Sequence, residues 1–332
     1  MKLVERLVRY KDLRPCHTAF IDTRSPGSDK KENFTIIGPG VAENPDQHVH
    51  IEIPHGFNIG GARQPPHCLN SQHSHLTAEV FVVHSGTWAF RSGVDAQDGE
   101  IMLNPGDIIT LPRDVFRGFE NIGNSSGFLY AVLGGDNPGR VLWAPQVFDL
   151  AKDHGLVLME DGSLHDTLSH GSLPVDLSPM PRTTQEQVSK HRVIDSAGLK
   201  DIIVRNHNFN WSKDTSLSKF DGVEEVALLG PANGAEQVPD GHLPWKHGFV
   251  VRALRLMPGA VIPVHIRKEE EVIFVQQGNC RVTVDNEPLD LDPGDTFTTP
   301  IGIKRSFVNQ GQKVCTIYLT RSSNQPLAPE FK

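Results

Sequence analysis

The chain has 332 residues, 40 acidic against 32 basic, and a net charge of −8. It carries no basic block, which argues against nucleic acid as a main partner. No apolar run is long enough for a transmembrane helix, and the start, Met1 to Leu7, is charged where a signal peptide would be apolar, so a cytoplasmic protein with no membrane partner is expected.

Residues 1 to about 45 read as a lead-in, in which Leu3 to Tyr10 suits either a short helix or a short strand. Ser25 to Lys31 is a polar turn. Residues 47 to 63 alternate apolar and polar as strands do. Their His48-x-His50-x-Glu52 series reads as a surface strand face, since it lacks a following glycine and any second copy. From His55 to Gly135, short strands are punctuated by Gly, Pro and Asp turns, the pattern of a small antiparallel barrel or sandwich. Ala144 to Asp153 has helical periodicity, with Gly155 placed as a C-cap. Ser169 to Arg182 reads as a linker, and a second short helix starts at Thr183 or Thr184. The second unit is expected from about residue 190 to 321, with core strands that begin near Phe249 and end near Tyr318. The polar tail, Ser322 to Lys332, is expected to be disordered or draped over the surface. Cys16, Cys68, Cys280 and Cys315 show no CxxC spacing and fit reduced thiols.

The chemistry gathers at His73-x-His75-x3-Glu79, closed by Gly86. Side chains of an extended strand alternate faces, so all three point one way. Two imidazoles and a carboxylate on one face can form a three-ligand metal site with open positions. The pattern recurs: His73 and His265, Glu79 and Glu271, and Gly86 and Gly278 are each 192 residues apart. Pro105-Gly106-Asp107 recurs as Pro293-Gly294-Asp295 at a separation of 188, followed by Arg117 and Arg305, Phe119 and Phe307, and Asn121 and Asn309. The four-residue difference falls in the loop Ser92 to Gly99, the kind of hairpin tip where a duplicated β fold tolerates length change.

These motifs resemble those of the cupin superfamily, and two copies resemble a bicupin of dioxygenase or oxalate-decarboxylase type. The resemblance implies an all-β fold of two tandem jelly-roll barrels (double-stranded β-helices) with a short helical connector. The expected boundaries are 1–139 for the N-terminal barrel with its lead-in, 140–189 for the connector and 190–332 for the C-terminal barrel. His67 stands where the family motif begins with glycine. Arg117 and Arg305 stand where the family has its third metal-binding histidine. A guanidinium only donates and cannot ligate a metal, but it pairs well with carboxylates.

Two readings of the first copy follow. In one, His73, His75 and Glu79 hold a divalent metal and Arg117 holds the anionic group of a substrate. His67 or His84 is then a candidate for the missing ligand. In the other, Arg117 pairs with Glu79 and the histidines line a polar pocket. Glu79 is also a candidate general base if no metal binds. Phe81 and Phe119 have the parity of the pocket face, and with Trp88 and His67 they are candidate substrate contacts, which suits an aromatic or diketone body. In the second copy, His265, Arg267, Glu271 and Arg305 read as a degenerate pocket, either an ion-pair network or an anion site. The resemblance implies a metal-dependent dioxygenase using Fe(II), with Mn, Ni or Zn as alternatives, on a small anionic substrate. Rival readings are a decarboxylase or isomerase of small acids or sugars, and a non-catalytic module that binds an anion. A homodimer is compatible with the family.

Overall fold

A computed structural model describes Leu3 to Lys332; Met1 and Lys2, part of the charged start, lie outside the described residues. The chain is all-β and forms two compact units. One comprises Arg14–Glu52 and Asn58–Asn206; the other comprises the segment ending at Leu13, Ile53–Phe57 and His207–Lys332.

In the first unit, a seven-stranded sheet runs Ile203–Val204, Ile108–Leu111, Glu79–Ser85, Gly127–Gly134, Phe57–Gln64, Glu32–Ile37 and Val49–Ile51. A five-stranded sheet runs Val141–Trp143, Leu69–His75, Arg117–Asn121, Trp88–Ser92 and Gly99–Leu103. The sheets meet through Phe81 on one and Phe90 and Phe119 on the other, with ring centroids 5.5 and 5.2 Å from that of Phe81. This is the face that parity assigned to Phe81, because it lies two residues from Glu79.

The second unit repeats the plan. Its larger sheet runs Leu7–Val8, Thr296–Thr299, Glu271–Gln277, Cys315–Ser322, Phe249–Leu256 and Val223–Leu229. Its smaller sheet runs Glu287–Leu291, Cys280–Val284, Arg305–Val308, Val261–Ile266 and Glu330–Phe331. Val282, Phe297, Phe307 and Leu319 are among the fully buried side chains of one apolar cluster inside it.

The aspartate of each Pro-Gly-Asp turn anchors an edge strand. Asp107 accepts hydrogen bonds from Arg205 Nη1 at 2.8 Å and from the Asn206 backbone at 2.9 Å. Asp295 accepts from Arg9 Nη1 at 2.6 Å and from the Tyr10 backbone at 2.9 Å. Ile203–Val204 thereby extends the first barrel beside Ile108 and Ile109, and Leu7–Val8 extends the second beside Thr296 and Phe297. Gly106 and Gly294, both at φ +87°, make the approach possible: a Cβ would lie 2.7 Å from Asn206 and from Tyr10 respectively. The lead-in is therefore a 3-10 turn, Leu3–Arg6, followed by a strand whose partners are in the second repeat rather than the first. Likewise residues 203–206 belong to the first unit, on the far side of the expected boundary at 190.

The tail departs from its expectation. Glu330 and Phe331 pair with Ile266 and His265, as Val141–Trp143 pairs with His75, Ser74 and His73 in the first barrel. Its polar composition concealed an edge strand that needs only one inward ring. The helices fall where periodicity and capping put them: Pro145–Asp153, and Gln185–Ser189 with a capping box at Thr184. Asn121 and Asn309 are structural. Each amide donates to two backbone carbonyls and accepts from the glycine two residues on.

Trp88 is fully buried in the first barrel, its Nε1 donating to the Ser85 carbonyl at 2.8 Å and its ring 5.8 Å from Phe119. Trp88→Ala is expected to cost about 3–5 kcal/mol through lost burial and a cavity. A shift of less than about 1 kcal/mol in a guanidinium unfolding curve would contradict this core role.

Candidate metal centre

His73 and His75 end the strand Leu69–His75, and Glu79 opens the strand Glu79–Ser85 after a three-residue turn. Their ligand atoms lie within 4.8 Å of one another, and all three side chains are buried. His73 Nδ1 donates to the Ser71 carbonyl at 2.7 Å, which leaves the Nε2 lone pair free to ligate. His75 Nδ1 is buried without a hydrogen-bond partner, and Nε2 lies 3.7 Å from Glu79 Oε2. Two neutral imidazoles, one of them with an orphaned nitrogen, and a carboxylate form a donor set that fits a divalent cation.

Burial, reinforced by the charge of Arg117, pushes His73 down to about 3 and His75 well below its ordinary value. Both rings are therefore neutral at neutral pH, the form that binds metal. Arg117 Nη2 donates to Glu79 Oε2 at 3.0 Å, and Nη1 donates to the Val115 carbonyl at 3.3 Å. Burial raises the Glu79 carboxyl and Arg117 opposes that rise. The pair is neutral overall, so a divalent ion here brings uncompensated positive charge unless an anion accompanies it.

The three donors form part of the lining of a cavity. Phe81, Phe119, Phe20, Phe34 and Trp143 give it aromatic walls, and Asn33, Thr35, Gln47 and Asn70 give it polar ones. The Trp143 ring lies 5.3 Å from His73. Trp143 Nε1 donates to Glu43 Oε1 at 2.6 Å, and Glu43 Oε2 accepts from the Ile21 backbone at 2.7 Å. Burial pushes the Glu43 carboxyl up to about 8. Behind the wall, Lys31 and Asp22 form a fully buried ion pair, and Lys31 Nζ donates to Asn70 Oδ1 at 2.9 Å.

The expected contacts divide. Phe81 and Phe119 line the cavity, whereas Trp88, His67 and His84 do not. His67 sits at φ +61° with its side chain 81% exposed, 3.7 Å from Glu120, because the Pro65-Pro66 segment turns it outward. Trp88 is fully buried against Phe119 in the core. Arg117, 1% exposed, is not among the lining residues and spends its donors on Glu79 and Val115. Trp143, Asn33, Thr35, Gln47 and Asn70 escaped sequence reasoning. Trp143 had a signal: Phe331 follows it at the separation of 188 and faces His265 at 5.5 Å.

The second barrel has the same positions with different contents. Glu79 lies opposite Leu133 across paired strands, and Glu271 lies opposite Arg321. Thr35 lies opposite Gly60, and Ala227 opposite Arg252. Gly60, His75 and Leu133 of the first cavity thus correspond to Arg252, Arg267 and Arg321. Arg252 lies 2.6 Å from Glu236 and 3.5 Å from Glu225. Arg267 pairs with Glu236, with Glu269 at 3.0 Å and with Glu271 at 3.2 Å. Arg321 lies 2.6 Å and Arg305 3.5 Å from Glu271. Burial would raise the Glu271 carboxyl, but Arg321, Arg267 and Arg305 outweigh it and hold it well below the carboxylate range. His265, Arg267, Glu271 and Arg305 therefore meet within a larger ionic network that includes Arg321, Arg252, Glu236 and Glu225.

Two tandem β-barrels, one with a His-His-Glu donor set beside a cavity, define a duplicated jelly roll. A family model described as a cupin domain matches residues 253–320. A germin-like protein from Mesembryanthemum crystallinum is 35% identical over 100 residues, covering 28% of this chain and 43% of that protein, so the match spans under half of the relative. Oxalate decarboxylase from Lactobacillus farciminis, in a formate complex, superposes with TM-score 0.58 at 10% identity over 98% of this chain and 88% of that one. A deletion mutant of Bacillus subtilis oxalate decarboxylase gives 0.57 at 11% over 98% and 79%. AerE from Microcystis aeruginosa gives 0.51 at 11% over 95% and 98%. At these identities the structural likeness speaks for the fold alone. Residues 253–320 thus match a cupin domain, and the chain as a whole has the fold of two tandem cupin barrels.

Two outcomes test the electrostatics. Burial holds the Glu43 carboxyl at about 8 in the folded chain, above its ordinary value of 4.5, so its contribution to stability is full below 4.5 and is lost as pH rises through 8. Glu43→Gln should therefore gain on the wild type by a few kcal/mol between about pH 4.5 and 8, read as the difference of two urea midpoint series. A pH-independent difference contradicts the assignment. Glu271→Gln leaves buried guanidiniums uncompensated and should cost about 3–5 kcal/mol in a denaturant titration.

Proposed function

We propose that the first barrel is a metal-dependent oxidoreductase site of dioxygenase type acting on a small anionic substrate. The observation that carries this reading is the convergence of His73, His75 and Glu79 within 4.8 Å at the wall of an aromatic-lined cavity. A bound divalent ion, Fe(II) first with Mn, Ni or Zn as alternatives, would supply open coordination positions and Lewis acidity. His73 is oriented for ligation by Ser71. Arg117 fixes Glu79, and because that pair is neutral a bound divalent ion would itself carry the positive charge that draws an anion to the site. Phe81, Phe119 and Trp143 exclude water and pack against an apolar substrate body. No helix among the described residues is long and apolar enough to cross a membrane. The four cysteines are free, as a reducing cytoplasm would keep them.

Decarboxylation of a small acid is the second reading, favoured by the fold shared with proteins described as oxalate decarboxylases. Non-catalytic anion binding is the third, favoured by the existing Arg117–Glu79 pair.

Elemental analysis of the purified protein should find about one divalent metal per chain, lost in His75→Ala and retained in His265→Ala, since among the described residues the donor set is found in the first barrel. Metal-free wild type, or metal that survives His75→Ala, would refute the site. Oxygen uptake against carbon dioxide release then separates the two chemistries.

A further inference from the structure

The polar wall of the first cavity has hydrogen-bonding groups that the protein leaves unused. Asn33 is 7% exposed and its Nδ2 has no hydrogen-bond partner. Gln47 Nε2 donates to Thr35 Oγ1, while Gln47 Oε1 is buried and unpartnered. Asn33 and Thr35 lie two apart on one strand, hence on one face, and all three residues line the cavity. A buried donor and a buried acceptor left unpaired each cost free energy that a guest can recover.

The second barrel shows what can fill this place. The counterpart of Asn33 is Glu225 and that of Gly60 is Arg252, and there the guanidinium lies 3.5 Å from the carboxylate. In the first barrel Gly60 supplies no side chain, so the space beside Asn33 remains part of the cavity. A polar group of a guest can stand where the other barrel has its own guanidinium.

We propose that Asn33, Thr35 and Gln47 form a hydroxyl-recognition subsite, and that the substrate is an aryl acid carrying a hydroxyl remote from its carboxylate. A hydroxyl both accepts, from Asn33 Nδ2, and donates, to Gln47 Oε1. A second carboxylate would face the Gln47 acceptor, and an ammonium would face the Asn33 donor. The strand of Asn33 stands three strand spacings from that of Glu79, roughly 14 Å along the sheet. One aromatic ring with a short acid arm suits that span and the aromatic walls. This deepens the proposed function and rests on it in taking this cavity as the substrate site.

The test is calorimetric binding of para-hydroxycinnamate and cinnamate to the full chain, both EDTA-treated and Mn(II)-loaded. The hydroxylated acid should bind at least about tenfold more tightly, because a site built around a hydroxyl rejects the analogue lacking it. Asn33→Leu should bring that ratio close to one while leaving cinnamate binding within about threefold. Equal affinities in the wild type, an unchanged ratio in Asn33→Leu, or no binding of either acid would overturn the subsite. The wild-type comparison decides even if the variant fails to fold. If Mn(II) changes neither affinity while the hydroxyl preference persists, the subsite stands and the metal reading falls; metal-dependent binding without the preference does the reverse.

Discussion

Each barrel buries a glutamate at the same position, and a carboxylate taken out of water must be compensated where it stands. The two halves meet that demand in different ways. Glu79 has one guanidinium, Arg117, at 3.0 Å, with two neutral imidazoles completing its surroundings. Glu271 has Arg267, Arg305 and Arg321 around it, all buried. One arginine leaves an acceptor and a cavity; three leave an ionic core.

The difference traces to a few exchanges on inward-facing positions. Gly60 and Leu133 leave room, whereas Arg252 and Arg321 reach into the equivalent interior and draw in Glu225 and Glu236. The second barrel thus keeps its fold while its own side chains fill the space that is open in the first. Buried pairs of this kind stabilise only when every partner is present, which makes the network intolerant of single losses. In the first barrel, Asn33 Nδ2, Gln47 Oε1 and His75 Nδ1 are buried without a hydrogen-bond partner, and all three residues line the open cavity.

The edges follow a second shared rule. Asp107 and Asp295 each capture an arginine and a backbone amide from an incoming strand, and a glycine beside each lets that strand approach. Leu7-Val8-Arg9-Tyr10 and Ile203-Val204-Arg205-Asn206 resemble each other in sequence, a repeat too short to stand out until their partners were seen. Covering an edge in this way removes an unpaired row of backbone donors and acceptors.

The duplication, the all-β class and the convergence of His73, His75 and Glu79 were determined by sequence alone, because strand parity and turn residues are local properties that act over a few positions. Parity also assigned Phe81 and Phe119 to the interior. It could not separate Trp88, packed in the core, from Trp143, which stacks on His73 from an edge strand. The exchange of His75 for Arg267 already marked the second copy as a degenerate pocket, either an ion-pair network or an anion site. Which of the two it is depends on side chains from strands distant in the chain, Asn33, Gly60, His75 and Leu133 in one copy and Glu225, Arg252, Arg267 and Arg321 in the other. Only the folded barrel brings those volumes and charges into one place, so only the tertiary structure decided that the first copy keeps a cavity and the second a salt-filled core.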